Sequence, residues 1–173
     1  MKKNIIISSF LLFSAFAFSQ VAIGKPSVTN TSVSLEFGAE NKGLLLPWVT
    51  SAASVTGAVD GTIIYDIIDK KVKYLKAGSW FDLTVDTTGV VDTTLQDSLT
   101  ETTSAKVAIG KDGATDTTPG ILVLTDTNKA MVLPKVASPH INIINPAPGM
   151  VAYDTVKKQL AVFNGTVWSF WKP

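Results

Sequence analysis

An all-β fold made of two related repeats is what this sequence predicts, and three observations predict it. The string Val21-Ala22-Ile23-Gly24-Lys25 returns unchanged as Val107-Ala108-Ile109-Gly110-Lys111. Further matches follow in the same order: Leu46-Pro47 with Leu133-Pro134, Gly61-Thr62-Ile63-Ile64-Tyr65-Asp66 with Gly149-Met150-Val151-Ala152-Tyr153-Asp154, and Gly78-Ser79-Trp80 with Gly165-Thr166-Val167-Trp168. Both copies consist of short apolar runs punctuated by Gly, Pro, Asn and Asp, with little that favours helix.

The chain opens with Lys2 and Lys3, then an apolar run from Ile5 to Phe18. A bilayer span needs roughly 20 apolar residues, so this run is too short. A basic start, a short apolar middle and small residues at Ala17 and Ser19 are the pattern of a secretory signal peptide over residues 1–19. Cleavage leaves Gln20 first, with a cut after Ala17 as the alternative. Export follows, to the cell surface or medium, with the periplasm as the other destination.

Within the first repeat, 20–83, Val33, Leu35 and Phe37 alternate with Ser32, Ser34 and Glu36, the period of a half-buried strand. Gly43-Leu44-Leu45-Leu46-Pro47 is a short apolar strand ended by proline, which cannot donate to a ladder. Thr62–Tyr65 reads as a buried strand, and Val72–Leu75 and Trp80–Leu83 as a hairpin with the longer turn Lys76–Ser79. Asp66 and Asp69 suit the turn between strands, where carboxylates bond nearby backbone N–H groups. The segment 84–106 is rich in Thr and Asp and lacks aromatics. It reads as an extended linker or solvated stalk, with a short helix over Thr93–Thr102 suggested by Leu95 and Leu99.

The second repeat, 107–173, ends in a clear hairpin. Asn164-Gly165 suits a type I′ turn, which would pair Phe163 with Thr166 and Ala161 with Trp168. One face then carries Ala161, Phe163, Trp168 and Phe170, and the other Leu160, Val162, Val167 and Trp171. Both faces are apolar, whereas a sheet facing water keeps one face polar, so both must be covered. One short turn each is expected at Ala52-Ala53 and at Val136–His140.

Composition narrows the function. Without residues 1–19, 13 lysines face 14 acidic residues, and the chain has no arginine. A near-neutral body without clustered cations does not suit nucleic acid. The absence of cysteine excludes disulfides, thiolate chemistry and cysteine-bound metal. His140 is the single histidine, and no Gly-x-Ser-x-Gly elbow, Walker loop or Gly-x-Gly-x-x-Gly accompanies it. Gly110–Asp116 lacks the acidic twelfth position of a calcium loop. No catalytic residue, metal site or cofactor is therefore expected, and the chain is read as a non-enzyme. Trp80 and Trp168 hold matching repeat positions and read as packing residues. Trp48, opposite Lys135 in the second copy, and Trp171, near the C-terminus, are the candidate partner contacts.

Val-x-Ile-Gly, then Leu-Leu-Leu-Pro, Gly-Thr-Ile-Ile-Tyr-Asp, a lysine pair and Asn-Gly-Thr-x-Trp together resemble the short repeats of exported Bacteroidota surface proteins, which are similar to segments of phage tail-fibre shafts. The resemblance covers both copies. It implies a β-rich, intertwined trimeric body displayed outside the cell. A second resemblance is to the Asp-Ser/Thr sites that Bacteroidota O-glycosylate. It implies modification at Thr87, Thr93, Ser98, Thr117 and Thr155.

Each repeat is small for one stable core, and neither disulfide nor metal supports it. A homo-oligomer follows, with a trimer favoured over a dimer. The function expected is that of a structural or adhesive interaction protein of the bacterial cell envelope. A carbohydrate-binding module and an accessory subunit of an envelope secretion or motility machine are the alternatives, so another envelope protein or a surface glycan is a candidate partner.

Overall fold

The computed structural model describes residues 20–100, 102 and 104–172; the expected signal peptide lies outside them. The fold is all-β with a few single-turn helices. Repeat 1 supplies β1 (Val21–Ile23), β2 (Val33–Phe37), β3 (Leu44–Leu45), β4 (Trp48–Val49), a 3-10 turn at Ala52–Ser54, β5 (Ile63–Asp66), β6 (Lys71–Lys76) and β7 (Ser79–Asp82). A short helix, α1 (Thr94–Asp97), lies between the repeats. Repeat 2 supplies β8 (Val107–Ile109), β9 (Leu122–Leu124), β10 (Ala130–Val132), β11 (Lys135–Val136), α2 (Pro139–Asn142), β12 (Met150–Asp154), β13 (Gln159–Phe163) and β14 (Trp168–Trp171).

The repeats match element for element. β1 runs parallel to β2 as β8 does to β9. β4 runs parallel to β5 with Trp48 opposite Tyr65, and β11 to β12 with Lys135 opposite Tyr153. Antiparallel ladders then join β5 to β6 to β7, and β12 to β13 to β14.

Two further pairings interlock the repeats. β3 of repeat 1 pairs antiparallel with β12, placing Leu45 by Met150 and Leu44 by Val151. β10 of repeat 2 pairs parallel with β2. Two sheets therefore contain strands from both repeats. The main core does too: Leu46, Tyr65 and Val72 pack with Val151 and Val162, flanked by Trp48, Val91 and Leu133. Burying a valine or leucine contributes about 1.5–3 kcal/mol, so neither repeat completes its core alone. A second cluster joins Val136, Ile143 and Ala152 with Met150 and Trp168.

Three local expectations change. First, β2 is buried on both faces, with Ser34 and Glu36 as covered as Leu35. It is the middle strand of the order β1-β2-β10, so alternation along the chain did not report its two-sided burial. Glu36 is tolerated because Lys25 Nζ lies 2.7 Å away and Thr29 donates both its N–H and its hydroxyl to the carboxylate. The Lys25 contact, followed by the two from Thr29, lowers the Glu36 pKa to about 2.

Second, the hairpin turns are exchanged. Ala77-Gly78 forms the two-residue turn, with positive φ at both residues, 50° and 71°. Asp60 holds it by accepting from Ala77 N at 2.9 Å and Gly78 N at 3.1 Å. The second hairpin closes through four residues, with Phe163 opposite Trp168 and Ala161 opposite Phe170. Asn164 is not in the positive-φ region; its side-chain oxygen instead accepts from Thr166 N at 2.9 Å and Val167 N at 2.8 Å. The register moves by two residues, which leaves Ala161, Phe163, Trp168 and Phe170 on one face. Cover reaches only part of each face: Ala161 is 0 % and Val162 2 % exposed and Trp168 is half-buried, whereas Val167, Phe170 and Trp171 stay exposed.

Third, residues 84–91 are only partly solvated: Val85, Thr87, Thr88 and Val90 are exposed, but the residues between them are held against the repeats. Thr84 is buried and accepts from Val72 N at 3.1 Å. Gly89 is also buried, and Val91 packs on the main core. The polar composition suggested solvation, but partners on both repeats satisfy these groups. Beyond Val91 the segment is open, and Leu95 and Leu99 of the α1 region are exposed.

Candidate interaction site

A connected polar cluster lies where the two repeats meet. Tyr65, fully buried on β5, donates its hydroxyl to Asn164 O at 2.6 Å. Burial, with a smaller effect from the neighbouring Asp66, raises the Tyr65 pKa, so the hydroxyl remains a donor. Asn164, also fully buried, donates Nδ2 to Asp86 Oδ1 at 2.6 Å. Asp86 accepts in turn from the Thr88 hydroxyl and N–H, and Thr166 Oγ1 donates to Thr88 O at 2.8 Å. These contacts, the Thr88 hydroxyl first, hold the Asp86 carboxyl below its ordinary pKa. The packing leaves no room for a side chain at Gly89, where a Cβ would lie 2.0 Å from Asn164 O.

Trp48 completes this joint. Its indole N–H donates to Pro148 O at 2.6 Å, and its ring packs on the main core. The candidate contact at Trp48 therefore touches the other repeat of its own chain. Trp171 is 53 % exposed at the end of β14, beside Phe170 at 42 %. His140 meets Phe170 edge-on, with ring centroids 5.5 Å apart. The candidate glycosylation residues Thr87, Ser98 and Thr117 are exposed, whereas Thr93 and Thr155 are half-buried. Thr93 also directs its hydroxyl to Asp97 Oδ2 at 3.2 Å.

No group of three or more His, Cys, Asp or Glu residues is arranged to hold a metal among the described residues. No helix among them is long and apolar enough to cross a membrane. Asp66 and Asp154 serve structural turns. Asp66 Oδ1 accepts from Ile68 N and Asp69 N, and Asp154 Oδ1 from Val156 N and Lys157 N. The joint's key residue, Asn164, was visible in the sequence only as a turn former. Its unequal partner in repeat 1, Lys76, was the available sign that the two hairpins close differently.

Residues 109–172 match the family model described as a phage tail like trimerisation region. The match begins at the end of β8 and takes in every later strand of repeat 2. It supports a structural, fibre-like role and a homo-oligomeric state. No curated protein and no solved structure matches the chain.

Proposed function

We propose that this chain is a non-enzymatic structural protein that assembles as an intertwined homotrimer and acts as a scaffold or adhesive element of the bacterial cell envelope. The observation that carries the reading is the trimerisation-region match across repeat 2. The duplicated strand order, in which repeats already exchange strands within one chain, supports it. Export through the segment 1–19 and surface display belong to the same reading. Trp171 and Phe170 offer the exposed aromatic contact. Glycans at the exposed Thr87, Ser98 and Thr117 would keep the segment between repeats and the loop after β8 protected from proteases.

Sedimentation velocity of the chain from Gln20 onward, at micromolar concentration, tests the assembly. A species of three chains is expected; a well-folded monomer overturns the reading. Intact mass of the native-source protein tests the glycans. A mass above that of the mature chain is expected, and the unmodified mass refutes them.

A further inference from the structure

We infer that repeat 2 of one chain covers repeat 1 of a second copy through the same contact that repeat 1 makes on repeat 2 within the chain. The inference rests on the homo-oligomer proposed above and specifies its interface.

Inside the chain that contact has four parts. β3 pairs with the Met150–Val151 edge of β12, and β2 pairs with β10. Leu46 N donates to Gly149 O at 3.1 Å, and Tyr65 packs so closely on Gly149 that a Cβ there would lie 2.8 Å from Tyr65 Cβ. Trp48 reaches Pro148.

Each part has a counterpart elsewhere in the chain that stands unoccupied among the described residues. The equivalent of the covered β12 edge is Thr62 and Ile63 at the start of β5, on the side away from β6, where among the described strands only β4 pairs, at Tyr65 and Asp66. Ile63 is 40 % exposed, whereas its equivalent Val151 is 5 % exposed. Gly61 keeps the positive φ of Gly149, 91° against 80°, yet a Cβ on it would meet nothing within 4 Å. The strand equivalent to β3 is β10, the outer strand of its sheet. Ala130 N donates to Ser32 O on the β2 side. Alternation along an extended strand then turns the backbone groups of Met131 and Leu133 the other way. β9 and β3 likewise have one strand partner each. Together these form the two halves of a single interface.

The occupant that fits the bare β5 edge is therefore β10 of another copy. Transfer of the internal register sets Met131 against Ile63 and Val132 against Thr62, antiparallel, with β9 beside β3. Tyr153, half-buried in the free chain, then packs over Gly61 as Tyr65 does over Gly149. The Trp48–Pro148 contact becomes Lys135 facing Asp60, both exposed and of opposite charge. The contact is head-to-tail, and three chains closing it into a ring form the trimer.

The chain has no cysteine, so single substitutions report on this pairing. Ile63→Cys chains are co-refolded with Met131→Cys chains and oxidised. Thr62→Cys with Val132→Cys is the second register pair, and Val156→Cys in place of the Met131 variant is the off-interface control. A disulfide-linked pair of chains is expected for both register pairs and not for the control. Ile63→Lys is expected to convert the trimer to a monomer with an unchanged circular dichroism spectrum. A trimer that forms no 63–131 or 62–132 link, and that survives Ile63→Lys, overturns this interface and leaves the trimer standing. A monomeric parent chain overturns both.

Discussion

Repeats 1 and 2 fold alike and differ where they touch. Tyr65 is fully buried with its hydroxyl engaged, while its equivalent Tyr153 is only half-buried. Asn164 ties three segments together, while its equivalent Lys76, which likewise follows the last apolar residue of the ascending strand, is exposed. Asp66 and Asp154 both close a strand turn. Asp66 Oδ2 also accepts from Ala52 N at 2.8 Å. In repeat 2 the residue aligned with Ala52 is Pro139, which has no N–H, and the buried Asp154 Oδ2 finds no partner among the described residues. The duplicated backbone thus tolerates divergence, and side chains specialise according to whether a repeat is covering or covered.

Breaking the joint gives the largest expected effect. Asn164→Ala removes the fully buried side chain that accepts from Thr166 N and Val167 N and donates to Asp86, so it should cost about 3 kcal/mol in denaturant unfolding. Lys76→Ala at the equivalent place should change stability by less than about 0.5 kcal/mol. Equal effects would mean that the two hairpins are not specialised.

Tyr65→Phe leaves the Asn164 carbonyl without its buried donor. A loss of about 1–2 kcal/mol is expected, against less than about 0.5 kcal/mol for Tyr153→Phe. Pro139→Ala should move the other way. It restores an N–H beside Asp154 Oδ2, a gain of about 1.5–3 kcal/mol for a hydrogen bond to a charged group. It also frees the unfolded chain, a loss of about 0.4–1 kcal/mol. A net stabilisation of about 1 kcal/mol should appear as a higher midpoint. The Asp154 pKa is already held low: burial alone would raise it, but the N–H groups of Lys157, Val156 and Ser138 outweigh burial.

A pH test addresses the Glu36 cluster of repeat 1. Glu36 has its folded pKa lowered from 4.5 to about 2. A depressed carboxyl pKa contributes stability above the unfolded value, and that contribution disappears as pH falls through the folded one. The denaturation midpoint should therefore fall between pH 4.5 and about 2. Glu36→Gln should flatten that part of the curve; an unchanged slope would show that Lys25 and Thr29 do not hold the carboxylate in solution.

The duplication, the strand content and the faces of the last hairpin were legible because they are written in local strings and in a period of two. The β3–β12 and β2–β10 pairings were not. β3 is two residues long and meets a strand about a hundred positions away, and alternation reports a buried face without naming its partner. Glu36 misled for a related reason: a charged residue at an alternate position looks outward until its neighbours Lys25 and Thr29 are seen folded onto it. Trp48 was selected for lacking an aromatic counterpart. That asymmetry was real, but it marked the joint inside the chain. The partial packing of 84–91 was hidden by its composition, because threonine and aspartate satisfied by Asn164 and Thr166 look the same in sequence as those satisfied by water.

In this structure the two repeats form one interlocked unit. Native-state amide hydrogen exchange at rising denaturant is the decisive measurement, followed at Lys73 in the β5–β6 ladder and at Ala161 in the β12–β13 ladder. One common opening free energy, lowered equally at both amides by Asn164→Ala, is the result the joint predicts. Separate opening of the two ladders, with Asn164→Ala affecting only Ala161, would contradict it.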